Sequence, residues 1–296
     1  MRNLRVILIV ICVVFGRQPA ARAWEWVPLH EKADELNSEQ AEAYAKEEPD
    51  SLERQYVLAL VYLYNYEADK AGEIFERILK EAPQAVEAAW GRAEVLRRKH
   101  KNKESKQLLD ELIKKAPQFW PAYISLSYLE YTQKNFKKAL ELAVKVTHQG
   151  REAVDLSNYA RAYSLVGGIK GMLAYYGGPV SKMVHGFSIF PYLEKAHKLQ
   201  PDAPAVLFGL GSFYFLSPKI IGGDQKKAEE YLLKAIEADA KFADAYVRIA
   251  QLYKMQGDDE KYRFYIGRAQ ELDPDNTLLL DFLEGRCEFI CVSIKE

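Results

Sequence analysis

The chain has 296 residues, of which 49% are hydrophobic and 28% charged, with a formal net charge of −1. That mixture supplies ample material for a packed core and excludes a disordered polyelectrolyte. It also argues against a nucleic-acid surface, which needs a concentrated basic excess.

Met1 to Arg5 carries two arginines, Val6 to Phe15 is apolar, and Ala21-Arg22-Ala23 offers a small-x-small cleavage site. Residues 1–23 therefore read as a secretory signal peptide, and the chain as exported through the Sec pathway, periplasmic or secreted and soluble after cleavage. The apolar run is short for a bilayer span, so no membrane span is expected in the mature chain. Cys12 follows Ile11, where a lipoprotein site would want a small residue. From Trp24 onward 37 basic residues face 42 acidic ones, a net charge of −5.

Residues 24–48 read as an N-terminal capping segment in which Ser38 to Glu48 forms a lone helix. Beyond it Pro49, Pro83 and Pro117 stand 34 residues apart, and Pro274 lies 34 after Ala240. A period of that length means stacked helical hairpins, because one hairpin cannot bury its apolar face alone. In the first unit Leu58, Ala59 and Tyr62 share one helix, and Ala71, Phe75 and Ile78 share a second before Pro83. The second unit repeats this with Ala89, Ala93 and Leu96, then Ser105, Leu109 and Leu112; the third uses Leu126, Ser127, Ala139, Ala143 and Val146. These residues resemble the tetratricopeptide pattern W-x2-L-G-x2-Y, A-x3-F, P. The resemblance implies an all-α fold, a right-handed superhelical solenoid of antiparallel helix pairs, with about six repeats over residues 49–285 and a capping helix at each end.

Leu156, Tyr159, Ala160 and Tyr163 begin a fourth unit whose second helix is matched by Ile189, Leu193, Ala196 and Pro201. Between them about 17 residues are added, in a glycine-rich insertion at about 166–186. The fifth unit holds Leu207, Leu210, Gly211 and Tyr214, then Ala228, Leu232 and Ala235, with a shorter insertion at 217–224. The sixth is regular, Thr277 to Leu283 fits a closing helix, and residues 286–296 form a tail. Small residues at Ala59, Ala93, Ala160, Gly211 and Ala250 are expected to let paired helices approach closely.

In the tail, Cys287 and Cys291 are four residues apart. A local disulfide, an intermolecular link and reduced thiols remain open, the first requiring a helical turn or tight loop. Zinc is disfavoured because no further ligands lie near. The histidines are scattered and no phosphate-binding loop occurs, so no catalytic residues, no metal and no cofactor are expected, and the chain reads as a non-enzyme.

By analogy with the tetratricopeptide family, the groove residues are Tyr56, Leu60, Trp90, Glu94, Arg97, Ile124, Tyr128, Tyr131, Arg161, Phe208, Phe215, Gln251 and Lys254. This aromatic set with two arginines suits an apolar peptide, a partner helix or an amphipathic small molecule with an acidic group. Equally, several of these aromatics become core residues if the superhelix closes tightly. The insertions bring Tyr175, Tyr176, Gly177, Gly178, His185, Gly222, Gly223 and Asp224 toward one edge, either as a shared working face or as tolerated surface loops. The export signal, the degenerate repeats, the glycine-rich stretch and the run Pro218 to Ala228 also resemble the helical accessory component of periplasmic TRAP-type transport systems. That narrower likeness implies a small ligand, apolar or acidic, near the insertion, and is compatible with an oligomer. The leading expectation is an interaction protein that binds an unidentified protein partner through a concave aromatic groove.

Overall fold

The computed structural model describes residues 24–286 and 288–290, and their regular structure is entirely helical. Residues 1–23, which carry the signal-peptide expectation, and Cys287 and Cys291 lie outside the described residues. Helices α1 (Trp26–Glu35) and α2 (Ser38–Glu47) come first. Three helix pairs follow: α3 (Leu52–Tyr64) with α4 (Ala68–Glu81), α5 (Val86–Arg98) with α6 (Asn102–Lys115), and α7 (Trp120–Thr132) with α8 (Phe136–Thr147). The fourth unit contains α9 (Leu156–Tyr176), an interposed α10 (Pro179–Gly186) and α11 (Ile189–Leu199). The last pairs are α12 (Pro204–Leu216) with α13 (Gln225–Ala238) and α14 (Ala243–Gln256) with α15 (Asp259–Leu272), closed by α16 (Thr277–Leu283).

Local chemistry sets the ends of these helices. Asn37 and Gln40 form a reciprocal capping box at α2, while Ser51, Asp155, Asp224, Asp258 and Asn276 cap α3, α9, α13, α15 and α16. Each side-chain oxygen satisfies backbone N–H groups that the first turn leaves unpaired. The first three pairs turn on Tyr66, His100 and Lys134, at φ 66°, 57° and 64°, and Gly257 does the same for the last pair at φ 77°. The next residue donates back to the helix just ended, as in Glu67 N to Tyr62 O at 2.9 Å and Lys101 N to Leu96 O at 2.9 Å. These are the left-handed closures of a helix C-terminus.

Small residues hold each pair together. Ala59, Ala71, Ala93, Ala139, Ala160, Ala196, Ala228 and Ala250 are fully buried. Buried serines complete the contact: Ser105 Oγ donates to Ala93 O at 2.8 Å and Ser127 Oγ to Ala139 O at 2.7 Å. Between units the approach is just as close, since a Cβ on Gly91 would lie 2.4 Å from the Phe75 ring.

Two features depart from a plain repeat array. Helix α9 does not turn at Gly168, 34 residues after Lys134, but continues to Tyr176. The glycine-rich insertion is therefore helical, as the end of α9 followed by α10, and is not a loop. Its glycines serve packing: a Cβ on Gly167 would sit 2.7 Å from Leu193 Cδ2 of α11, and one on Gly209 of α12 would sit 2.9 Å from Ser164 Oγ of α9. Tertiary contact here overrides the weak helix propensity of glycine. The shorter insertion forms a 3-10 turn at Lys219–Ile221, left by Gly222 at φ 109°.

The second departure is α1, which is no outer cap. It lies on the concave side, where Trp26 packs on Phe119, His30 on Trp90 and Trp24 on Tyr56. It also reaches α9, through Ser157 Oγ donating to Asp34 Oδ2 at 2.6 Å. His30, fully buried, pairs through Nε2 with Tyr56 Oη at 2.8 Å, and its Nδ1 faces Asn158 Nδ2 at 3.3 Å and Asp155 Oδ2 at 3.7 Å.

The solenoid then closes on itself. Tyr66 Oη donates to Asp239 Oδ2 at 2.6 Å, His100 Nε2 meets Asp273 Oδ1 at 3.0 Å, and Lys134 Nζ donates to Glu288 Oε1 at 2.6 Å. Lys241 Nζ adds a bond to Asn65 O at 3.2 Å. Turns of the first two units are thereby tied to the ends of the last two, and the turn of the third to the segment after α16.

Candidate functional site

Closure turns the concave face into a chamber of about 1230 Å³, walled by α3, α5, α7, α9, α12 and α14 and reached by Phe289 and Ile290. Nine of the thirteen expected groove residues line it: Trp90, Glu94, Arg97, Ile124, Tyr128, Tyr131, Arg161, Phe208 and Phe215. The other four are elsewhere. Tyr56 and Leu60 are fully buried toward the N-terminal end, Tyr56 against α1. Gln251 is buried and accepts from Arg248 Nη1 at 2.8 Å, and Lys254 pairs with Asp259 at 3.1 Å outside the chamber.

The lining mixes aromatic side chains with a few charged ones. Glu94 Oε2 accepts from Arg97 Nη2 at 2.7 Å, and Arg97 Nε contacts both Glu94 oxygens at 3.0 and 3.2 Å, a two-pronged pair. Burial favours the neutral Glu94 acid, but Arg97, assisted by Arg161, holds its carboxyl down at about 2. Arg97 also stands 5.2 Å from the centre of the Tyr128 ring, a cation–π contact. Burial pushes the Tyr131 phenol up to about 12.

Arg161 differs from Arg97. It lines the chamber, yet it makes no hydrogen bond or salt bridge with any described residue. Burial lowers its affinity for its proton; Glu94 opposes that, and the nearby Arg97 and Arg98 charges reinforce it. The guanidinium nonetheless stays charged at neutral pH and offers up to five N–H donors in a fork that fits a carboxylate or phosphate.

Arg248, with its Nε unpartnered, and Asp244, held by Asn276 Nδ2 at 2.7 Å, also face the chamber. Sequence reasoning missed both. Their signal was a pair of charges in a helix whose other residues from Ala243 to Tyr253 are buried.

The insertion residues meet the same chamber from one side. Tyr175, Lys182, Gly186, Pro218 and Ile221 line it. Tyr176 stacks on Phe136 at 5.7 Å and donates to Glu288 O at 2.6 Å. Gly177 ends α9, Gly178 starts α10, and His185 lies in the last turn of α10, its imidazole lowered by burial and by Lys170. Gly222 lies against Phe213 of α12, which packs on Phe190 of α11 at 5.4 Å. Gly223 donates to Pro218 O, and Asp224 caps α13. Among the described residues there is no cluster of potential metal ligands, and no helix is long and apolar enough to cross a membrane.

These features define a superhelical array of helix pairs wrapped around a chamber. Sequence patterns of the tetratricopeptide repeat match residues 62–127 and 243–276. Over those two stretches the chain carries tetratricopeptide repeats, units that in other proteins typically build non-catalytic scaffolds for protein–protein interaction. Its fold is similar to that of a chain in the APC/C hetero-tetramer Cut9-Hcn1, with TM-score 0.62 and 12% identity over 88% of this chain and 48% of that one. It therefore spans about half of that relative's length. It is also similar to the human IFIT1 dimer with m7Gppp-AAAA, with TM-score 0.58, 13% identity, and 85% and 59% of the two chains covered. A tetratricopeptide repeat protein from Parabacteroides merdae matches at TM-score 0.50 and 13% identity, over 87% and 96% of the two chains. At these identities the likeness is one of fold. No curated protein sequence matches the chain significantly.

Proposed function

We propose that this is an exported, non-enzymatic interaction protein that draws a short segment of a protein partner, apolar with one acidic group, into the chamber formed by its concave face. The observation that carries this reading is Arg161, a chamber-facing cation with no carboxylate of its own. Around it Tyr128, Tyr131, Phe208 and Phe215 offer rigid aromatic surface that loses little side-chain entropy on binding. The Glu94–Arg97 pair adds polarity to the lining without supplying a second free cation. Export rests on the signal pattern of residues 1–23.

A second reading has its own support. Closure by the Tyr66–Asp239 and His100–Asp273 contacts makes the concave face an enclosure, and enclosures suit small amphipathic acids of the kind a solute-transport accessory protein would hold. Affinity purification of wild type and Arg161→Gln from envelope extract, followed by native mass spectrometry, tests both. A partner protein lost from the variant supports the first reading, and a copurifying small acid lost from the variant supports the second. Identical partners and masses in both samples would remove Arg161 from the account.

A further inference from the structure

Among the described residues, most of the exposed large apolar side chains lie between Tyr175 and Ile220. Val180, Met183, Val184 and Phe187, at the i, i+3, i+4, i+7 positions of α10 and its end, are 74%, 65%, 59% and 69% exposed. That spacing puts all four on one helical face. The face points to solvent, while Ser181 on the opposite side donates to Leu173 O of α9 at 2.8 Å and Gly186 is buried. An amphipathic helix in a folded chain ordinarily turns its apolar face inward; α10 does the reverse. Ile220 on the 3-10 turn is 91% exposed, Tyr175 and Tyr176 at the end of α9 are exposed too, and the two segments border one cavity, lined by Lys182 of α10 and by Ile221.

Charge is sorted in the same region. The chain contains 42 acidic residues, yet none lies between Asp155 and Glu194 or between Asp202 and Asp224. Those two stretches carry Arg161, Lys170, Lys182 and Lys219. Lys182 sits within α10 and Lys219 beside Ile220, both exposed and neither in a salt bridge with a described residue.

We infer that the outward face of α10, together with Ile220, is a docking surface for a lipid bilayer bearing anionic headgroups. Protruding Val, Met, Phe and Ile side chains enter the acyl boundary, tyrosines suit the interface, and lysines meet lipid phosphates. A second copy of the chain fits less well, because a two-fold contact through this face would set one acid-free, lysine-bearing surface against another. The docking surface borders the chamber, since Tyr175, Lys182, Gly186, Pro218 and Ile221 line that cavity. Docking would hold the chamber opening at the membrane, whatever the chamber binds.

The test uses the full chain and two single-tryptophan additions, Phe187→Trp on the proposed face and Phe264→Trp on α15, where the native side chain is 61% exposed. Difference spectra against wild type are recorded with phosphatidylglycerol vesicles carrying brominated acyl chains. The proposal expects strong bromine quenching at position 187 and none at 264, with a loss of at least tenfold in vesicle partitioning for Val184→Asp/Phe187→Asp. Because both native side chains are exposed, that double variant should keep the wild-type circular dichroism. Equal quenching at the two positions would overturn the proposal, as would wild-type vesicle binding by the double variant. So would concentration-dependent burial of the position-187 tryptophan without lipid, which assigns the face to a second copy.

Discussion

Tyr66 and Asp239, 173 residues apart, are joined by a 2.6 Å hydrogen bond, and His100 and Asp273 are joined across the same interval. Tyr66 to His100 and Asp239 to Asp273 both advance by the repeat length, so the 34-residue period that builds the solenoid also aligns these two closing contacts, whereas Lys134 reaches Glu288 in the segment after α16. Bonds of this kind contribute about 1 kcal/mol each. Substituting Tyr66→Phe, His100→Ala and Lys134→Ala together should leave the helices intact but open the superhelix. Small-angle scattering should then show a larger radius of gyration at unchanged helical circular dichroism.

Glu94 is buried with a charged partner it cannot replace. Glu94→Gln should destabilise the chain by about 3 kcal/mol, because the Arg97 guanidinium, only 16% exposed, is left with its charge uncompensated. The Glu94 carboxyl lies at about 2, below its ordinary 4.5. Its contribution is therefore complete above pH 4.5 and is lost as the pH falls toward 2. Acid unfolding followed by tryptophan fluorescence should show that component in wild type and not in the variant.

His30 gives a separate pH dependence. Burial holds its imidazole below the ordinary value of 6.5, with Asp155 raising it and Arg161 lowering it. The unfolded chain therefore binds a proton there more readily than the native chain, and stability falls as the pH drops through 6.5 toward the folded value. Urea midpoints measured between pH 7.5 and 5.5 should decline in wild type and decline less in His30→Gln. The ring lies between α1 and α9, so early amide exchange in α1 should accompany the decline.

Neighbouring glycines of α9 should respond in opposite directions. A Cβ on Gly167 would meet Leu193 at 2.7 Å, so Gly167→Ala should cost about 1–3 kcal/mol by overpacking. Gly168 has open space around its Cβ position, and Gly168→Ala should gain up to about 1 kcal/mol of helix propensity. Paired thermal unfolding curves check the sign of both.

The repeat units were legible because helix pairing is a local matter. Thr277–Leu283 is the helix its period predicts, and the small residues Ala59, Ala93, Ala160, Gly211 and Ala250 are buried where the pairs touch. The course of α9 was hidden, since Gly167 and Gly168 look like a turn until Leu193 of α11 is placed against them. Helix α1 has no repeat counterpart, so nothing in the period showed that Trp24 and His30 would cover Tyr56 and Trp90. Closure was invisible for a different reason. Tyr66 and Asp239 are each ordinary turn residues, and only the accumulated twist of the units between them brings them together. The chamber follows from that twist, and so do the positions of Arg248 and Asp244 within it.

Photo-crosslinking from inside the chamber tests the account most directly. A benzoylphenylalanine at position 208 faces the cavity, and one at position 264 lies on an exposed part of α15. In envelope extract, position 208 should yield an adduct whose mass identifies the occupant, and Arg161→Gln should abolish it. Adducts formed only from position 264, or formed at position 208 regardless of Arg161, would contradict a chamber that binds its occupant through that arginine.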